Sequence, residues 1–323
     1  MTFRNEIITL ATLAALTPAL SLANATNLGP LMTYSQSPLQ SNSLSPQLRS
    51  GFSLAHQTKE FYISATSSSV WAENEVYHAD YYQNSVLMGT KWQFTEKWQA
   101  DIQYRWNFSA NNHLDNVTDK FHTLFGLDAN GRDKIKHNQN NIIIPEYGIK
   151  VTDFEGETLS SAFSFYTQYQ LIQTPHHGLS VGGSLYYNHV GSGPFKDSRF
   201  EQGLQLNYSY QNRSHHIYTS LGVSYRHNEE VFTQLPYRNT TFAMLLGYQY
   251  DLDDNQELMF EHHWYEGSAS NIADISDPSN EIVLGYRYNW QKTSLEFVIL
   301  ENIFNMDNSA DISFTLSLRH RIK

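Results

Sequence analysis

The sequence predicts an all-β protein, an antiparallel transmembrane β-barrel of about 12 to 14 strands. Three observations carry that prediction. The segments Lys97 to Phe108, Phe200 to Tyr210 and Asp311 to Ile322 alternate apolar and polar residues with a period of two. In the last of them Ile312, Phe314, Leu316, Leu318 and Ile322 share one parity, while Ser313, Thr315, Ser317, Arg319 and Arg321 share the other. Such a strand has one oily face and one wet face. Second, Arg4 precedes an apolar stretch from Ile7 to Leu20, and Ala23-Asn24-Ala25 supplies the small residues of a cleavage site, the layout of an export signal. Third, the connections between alternating segments are by turns short and long. Thr95-Glu96, Gln211-Asn212-Arg213, Leu252-Asp253-Asp254 and Trp290-Gln291-Lys292 are short, whereas 109–157, 191–199, 227–238, 267–278 and 304–310 are long. Outer-membrane barrels have short turns at one end and long loops at the other.

In chain order, residues 1–25 read as the signal peptide. Residues 26–45 follow, and with Pro30 and Pro38 inside them and Pro46 just beyond they make a poor regular strand. They are expected to be an N-terminal plug or an irregular first strand, and 46–323 the barrel. Candidate strands lie near 47–56, 59–71, 83–94, 97–108, 158–171, 178–190, 200–210, 214–226, 239–251, 255–266, 279–289, 293–303 and 311–322. Most are long enough to cross an outer membrane at a tilt. An odd tally cannot place both ends of the wall on one side, so one crossing is unaccounted for. Counting back from the last strand makes 47–56 a descending crossing, and 26–45 must then climb first. Inside the long loop 109–157, Val117, Phe121, Leu124 and Phe125 fall at helical spacing and Gly126 is a natural stop. A short amphipathic helix is expected near 115–126, packed on the rim, covering the mouth or dipping into the lumen.

The aromatics orient the faces. Trp92 and Phe94, Tyr208 and Tyr210, Tyr248 and Tyr250, and Tyr286, Tyr288 and Trp290 share parity where strands meet short turns, as in an interfacial girdle. Asp101, Arg105, Glu257, Glu261 and Arg287 take the opposite parity and are expected to face an aqueous lumen. There they can sort permeating solutes by a transverse field, or bridge strands in a narrow, closed barrel. The competing fold is a soluble β-sandwich with a Tyr-rich core.

Composition narrows the function. The chain has no cysteine, so in an exported protein sheet closure and packing must stabilise it. Mean hydropathy is negative, yet aromatics reach 14%, more than a soluble domain needs. A net charge of −11 argues against nucleic-acid binding and suits solvated loops and lumen.

Few motifs carry chemistry. Tyr187-Asn188-His189-Val190-Gly191-Ser192-Gly193 is similar to the Asn-His-x-Ser-Asn-Gly signature of outer-membrane phospholipase A. In a serine hydrolase the imidazole must reach the hydroxyl, but the position two beyond His189 is Gly191, and Ser192 has the opposite parity. His189 and Ser192 are kept as an alternative catalytic pair, with no catalysis expected. The tandem histidines His215-His216 and His262-His263 point to opposite faces of their strands and cannot chelate one ion locally. His176-His177 sits in a turn. Asp251, Asp253, Asp254 and Asn255 lack the spacing of a calcium loop and suit a hairpin turn. No metal and no cofactor is expected.

Two stretches carry a resemblance. Gly29-Pro30-Leu31 with Gln36-Ser37-Pro38-Leu39 is similar to an opening Asn/Gln-x-Pro-Leu element. Asp115, Asp119-Lys-Phe121-His122-Thr-Leu-Phe125-Gly126-Leu and Asn130-Gly131-Arg132 are similar to an Asp-x-Phe-His-x-x-Phe-Gly-Leu and Gly-Arg signature. Both resemble an uncharacterised family of proteobacterial outer-membrane barrel proteins, catalogued only as a domain of unknown function. The resemblance implies the barrel and no activity. One departure bears on assembly: such barrels usually end in an aromatic, whereas this sequence ends Ile322-Lys323. The expected role is passive transport of a small or amphipathic solute or an envelope structural role. A lipid-modifying hydrolase and a surface interaction protein are the alternatives. Expected partners are outer-membrane lipid, lipopolysaccharide and the barrel-assembly machinery, with an unknown small-molecule ligand and no nucleic acid.

Overall fold

Strands with one apolar and one polar face can satisfy every backbone group in lipid only by closing on themselves, and this chain does so. The computed structural model describes residues 28–73, 76–114, 139–227, 235–302, 304, 308 and 310–322. The strands are β1 (Lys59–Glu73), β2 (His78–Gln93), β3 (Trp98–Phe108), β4 (Asn141–Ile144), β5 (Ile149–Thr152), β6 (Thr158–Gln173), β7 (His177–Val190) and β8 (Asp197–Asn212). There follow β9 (His215–Arg226), β10 (Thr240–Asp251), β11 (Gln256–Tyr265), β12 (Ser279–Trp290), β13 (Thr293–Asn302) and β14 (Ala310–Ile322). All but β4 and β5 form a closed antiparallel barrel of 12 strands, in which β1 pairs with β2 on one side and β14 on the other. The 12-strand wall lies within the expected range and has the even number of such barrels.

One expected strand is absent. Residues 47–56 belong to no strand: 47–54 lie inside the barrel, and Ala55 and His56 are exposed beyond it. A segment that meets the polar wall on one side and its own apolar neighbours on the other can alternate in sequence just as a wall strand does. The short hairpin β4–β5 was not expected. It pairs with the top of β2, His78 opposite Ile143, in the long connection after β3. The helix expected near 115–126 lies outside the described residues.

Outward residues form an apolar band. Ile102, Phe163, Leu204, Leu221, Leu284 and Leu316 all face outward and are at least half exposed or close to it. At the short-turn end it is rimmed by aromatic pairs, Trp92 with Phe94, Trp98 with Tyr169 and Tyr288 with Trp290. Trp106 stacks on Phe108 at the long-loop end. An apolar band between aromatic rims matches a bilayer core and its interfaces, and it excludes the sandwich, which would bury these residues. At the long-loop end an apolar cluster including Tyr77, Tyr81, Ile144, Phe154, Phe195 and Ile272 caps the interior.

Candidate functional site

The polar inner face is largely filled by the chain itself. Residues 28–54 run through it as a folded-over segment: 28–37 climb from the short-turn end, 38–43 turn beneath the apolar cap, and 44–54 descend. A 3-10 turn at Gln40–Asn42 makes the bend, and Leu39 packs against the cap.

Buried in the lumen without a sheet partner, this segment must still satisfy its backbone. Wall carboxylates accept from its amides. Leu31 N–H donates to Glu261 at 2.9 Å, Met32 to Glu296 at 3.3 Å, Gln36 to Glu281 at 2.7 Å and Leu44 to Glu201 at 2.9 Å. Wall arginines and amides donate to its carbonyls. Arg319 reaches Leu28 O at 2.6 Å and Pro30 O at 3.0 Å, Arg287 reaches Gly29 O at 2.8 Å, and Arg199 reaches Asn42 O at 2.6 Å. On the descending limb Gln205 donates to Gln47 O at 2.7 Å and Gln170 to Gly51 O at 2.7 Å. Charged acceptors and donors make the stronger class of hydrogen bond.

The same wall charges pair with one another across neighbouring strands. A ladder runs from Lys91 (β2) to Glu60 (β1), Arg319 (β14), Glu296 (β13), Arg287 (β12) and Glu257 (β11), with separations of 3.5, 2.7, 2.9, 2.7 and 2.6 Å. Arg321 also reaches Glu60, at 3.2 Å. Charges this buried are tolerable because each has partners of opposite sign.

Wall glycines make room for the segment's side chains. A Cβ at Gly222 of β9 would lie 2.5 Å from Pro46, and one at Gly247 of β10 would lie 2.5 Å from Leu48. Gly285 of β12 is held against Leu31 in the same way, and Gly178 of β7 against Gly51. The fit between limb and wall is therefore steric as well as polar.

The expected lumen residues all face inward, but their partners differ from a pairing within each strand. Asp101 accepts from Arg49 of the descending limb at 2.8 Å and from the Tyr62 hydroxyl at 2.5 Å. Arg105 lies over the Tyr34 ring, 4.4 Å from its centre, and donates to Ser43 O. Glu257 pairs with Arg287, while Glu261 joins His263, at 2.9 Å, to the ascending limb. Glu60, Glu201, Glu281 and Glu296 were not singled out from the sequence, although their inward parity is readable there. The signature residues Asp115, Asp119, Phe121, His122, Phe125, Gly126 and Arg132 lie outside the described residues.

His189 and Ser192 are not brought together as a catalytic pair. His189 is exposed on the outer face and stacks on Tyr187, Ser192 lies exposed beyond the strand end, and no hydrogen bond between them is found among the described residues. The tandem histidines separate across the wall: His215 bonds Tyr248 outside, and His216 bonds Asp251 inside. Among the described residues no cluster of His, Asp and Glu has a metal-holding arrangement.

Between the two limbs, at the short-turn end, a cleft of about 620 Å³ remains open. Its apolar side comes from the limbs and its charged side from the wall.

A closed 12-strand antiparallel barrel with an apolar exterior, aromatic rims and a charged interior defines an outer-membrane β-barrel protein. Residues 5–322 match the family described as "Protein of unknown function (DUF3187)", and the chain belongs to it. Among solved structures the fold is similar to that of the COG4313 outer membrane channel from Pseudomonas putida F1. That match has 10% identity and a TM-score of 0.53, covering 87% of this chain and 100% of the other. The KdgM porin matches at 6% identity and a TM-score of 0.44, covering 81% and 99%. The Pseudomonas putida toluene transporter TodX matches at 9% and 0.38, covering 84% and 90%. No curated protein matches the chain.

Proposed function

We propose that this protein is a passive outer-membrane channel whose path is occupied at rest by residues 28–54, which act as a plug. One observation carries the reading. The segment that fills the lumen is held by side chains of the wall and not by strand pairing, so it can leave without opening the barrel. The wall it would uncover is polar around its circumference, with Asp101, Gln205, Glu261, Arg287 and Arg319 facing inward. The similarity in fold to an outer membrane channel supports the same reading.

On this reading the segment 1–25 directs export, the barrel-assembly machinery inserts the wall, and lipopolysaccharide surrounds its long-loop half. The short-turn end faces the periplasm, as in other such barrels.

Planar-bilayer recording tests it. The intact protein is expected to conduct rarely or not at all, and a variant lacking residues 28–54 to give large, stable current steps. A folded deletion variant that stays silent removes the channel reading. The second reading, a structural envelope role, is favoured by the glycine-keyed fit of limb to wall. It predicts that silence, together with a leaky envelope in cells lacking the protein.

A further inference from the structure

We infer that the cleft between the two limbs is a binding site for a single-chain amphiphile with an anionic head, such as a medium-chain carboxylate. The inference deepens the channel reading by naming a solute class, and rests on that reading only for the claim that such a solute passes through.

The two sides of the cleft differ in chemistry because they come from different parts of the chain. The limbs contribute Leu28, Leu31, Met32, Phe52 and Leu54. Leu31 and Met32 also pack in small apolar clusters, but Leu28, Phe52 and Leu54 belong to none of the buried apolar clusters among the described residues. Phe52 and Leu54 are only half-buried and turn toward the cleft. Opposite them the wall and its turns present Lys91, Arg321 and Lys292, and Arg49 adds a fourth cation from the descending limb.

Among the described residues, two carboxylates, Glu60 and Asp101, face the same space. Asp101 is matched by Arg49, and Glu60 is shared among Arg319, Arg321 and Lys91. Lys91 holds the most distant of those contacts, at 3.5 Å, and lies 3.5 Å from the Met32 sulfur as well. In a chain of net charge −11, this mouth is locally cationic. The field draws anions, and the apolar strip along the limbs favours those carrying a chain. The volume falls within the roughly 300–1,000 Å³ of small-molecule sites.

The methionines allow a test that separates this cleft from the bilayer. Met32 lines it and Met259 is buried elsewhere in the lumen, while Met88 and Met244 face lipid. With methyl-13C-methionine protein in zwitterionic nanodiscs, decanoate is expected to shift the Met32 resonance saturably. Any Met88 and Met244 shifts should rise linearly with partitioning. Decanol and decyltrimethylammonium should leave Met32 unmoved or need at least tenfold more ligand. Lys91→Gln, and separately the turn variant Lys292→Gln, should each raise the half-saturation concentration about fivefold or more. Equal Met32 shifts with decanol, or no effect of either substitution, would overturn the inference. A saturable Met32 shift without decanoate flux into liposomes leaves the site standing and removes passage. Conductance of the 28–54 deletion with no Met32 shift in the intact protein does the reverse.

Discussion

Arg319 donates to Glu60 at 2.7 Å across the seam where β14 meets β1, so the pair of strands that closes the wall is also joined by an ion pair inside it. Both side chains are fully buried. Glu60 in addition holds Arg321 and Lys91, and removing it would leave three cations facing one another. Glu60→Gln is therefore expected to destabilise the barrel by about 3–5 kcal/mol, the cost of breaking a buried pair from one side. Urea unfolding from liposomes measures it, and a loss below about 1 kcal/mol would mean that water, not Glu60, neutralises the seam.

Gly222→Ala is expected to cost about 1–3 kcal/mol, because the new methyl would overlap Pro46 unless the descending limb shifts. Pro46→Gly in the same chain removes the colliding ring and should recover most of the loss. A double-mutant cycle with no coupling would show that the limb does not rest on β9 in the membrane.

Leu204 is 64% exposed on the outer face. Leu204→Arg puts a charge into the lipid and should destabilise by roughly 2–4 kcal/mol if the residue lies near the bilayer midplane. Its neighbour across the ladder, Val223, pairs with it in register but is only half-exposed, so Leu204 is the sharper probe. Indifference to arginine at Leu204 would contradict the assignment of the apolar band to lipid.

His189→Ala and Ser192→Ala should leave phospholipid and lipopolysaccharide composition unchanged. The ring packs on Tyr187 at the outer rim, and the hydroxyl lies beyond the strand end. Altered lipid species in either strain would revive the hydrolase alternative.

What could be read from the residues follows from where each pattern originates. A wall strand meets two solvents, lipid and lumen, so β14 announces itself in Ile312 to Ile322 without reference to any neighbour. β4 and β5 span four residues each, too few alternations to stand out. The segment 47–56 alternates apolar and polar residues as a wall strand does, and nothing local distinguishes a strand in the wall from a limb inside it. The inward charges Asp101, Arg105, Glu257, Glu261 and Arg287 are legible from parity alone. Their partners are not, since Glu281 meets the backbone of Gln36 from 245 positions away, and a backbone amide has no residue type to read. The neutralising ladder likewise emerges only when the register sets Glu296 beside both Arg287 and Arg319.

Both limbs of the lumen segment open toward the same end of the barrel, where Leu28 and Glu60, near the start of β1, line the same cleft. Among the described residues no part of the segment is threaded through the wall or locked behind a loop, in keeping with the rarity of true knots. The wall can thus close first, and the cord can be tucked in afterwards from the short-turn end. A steady pull on the stretch before Leu28 would draw it out limb by limb and leave every strand pairing intact.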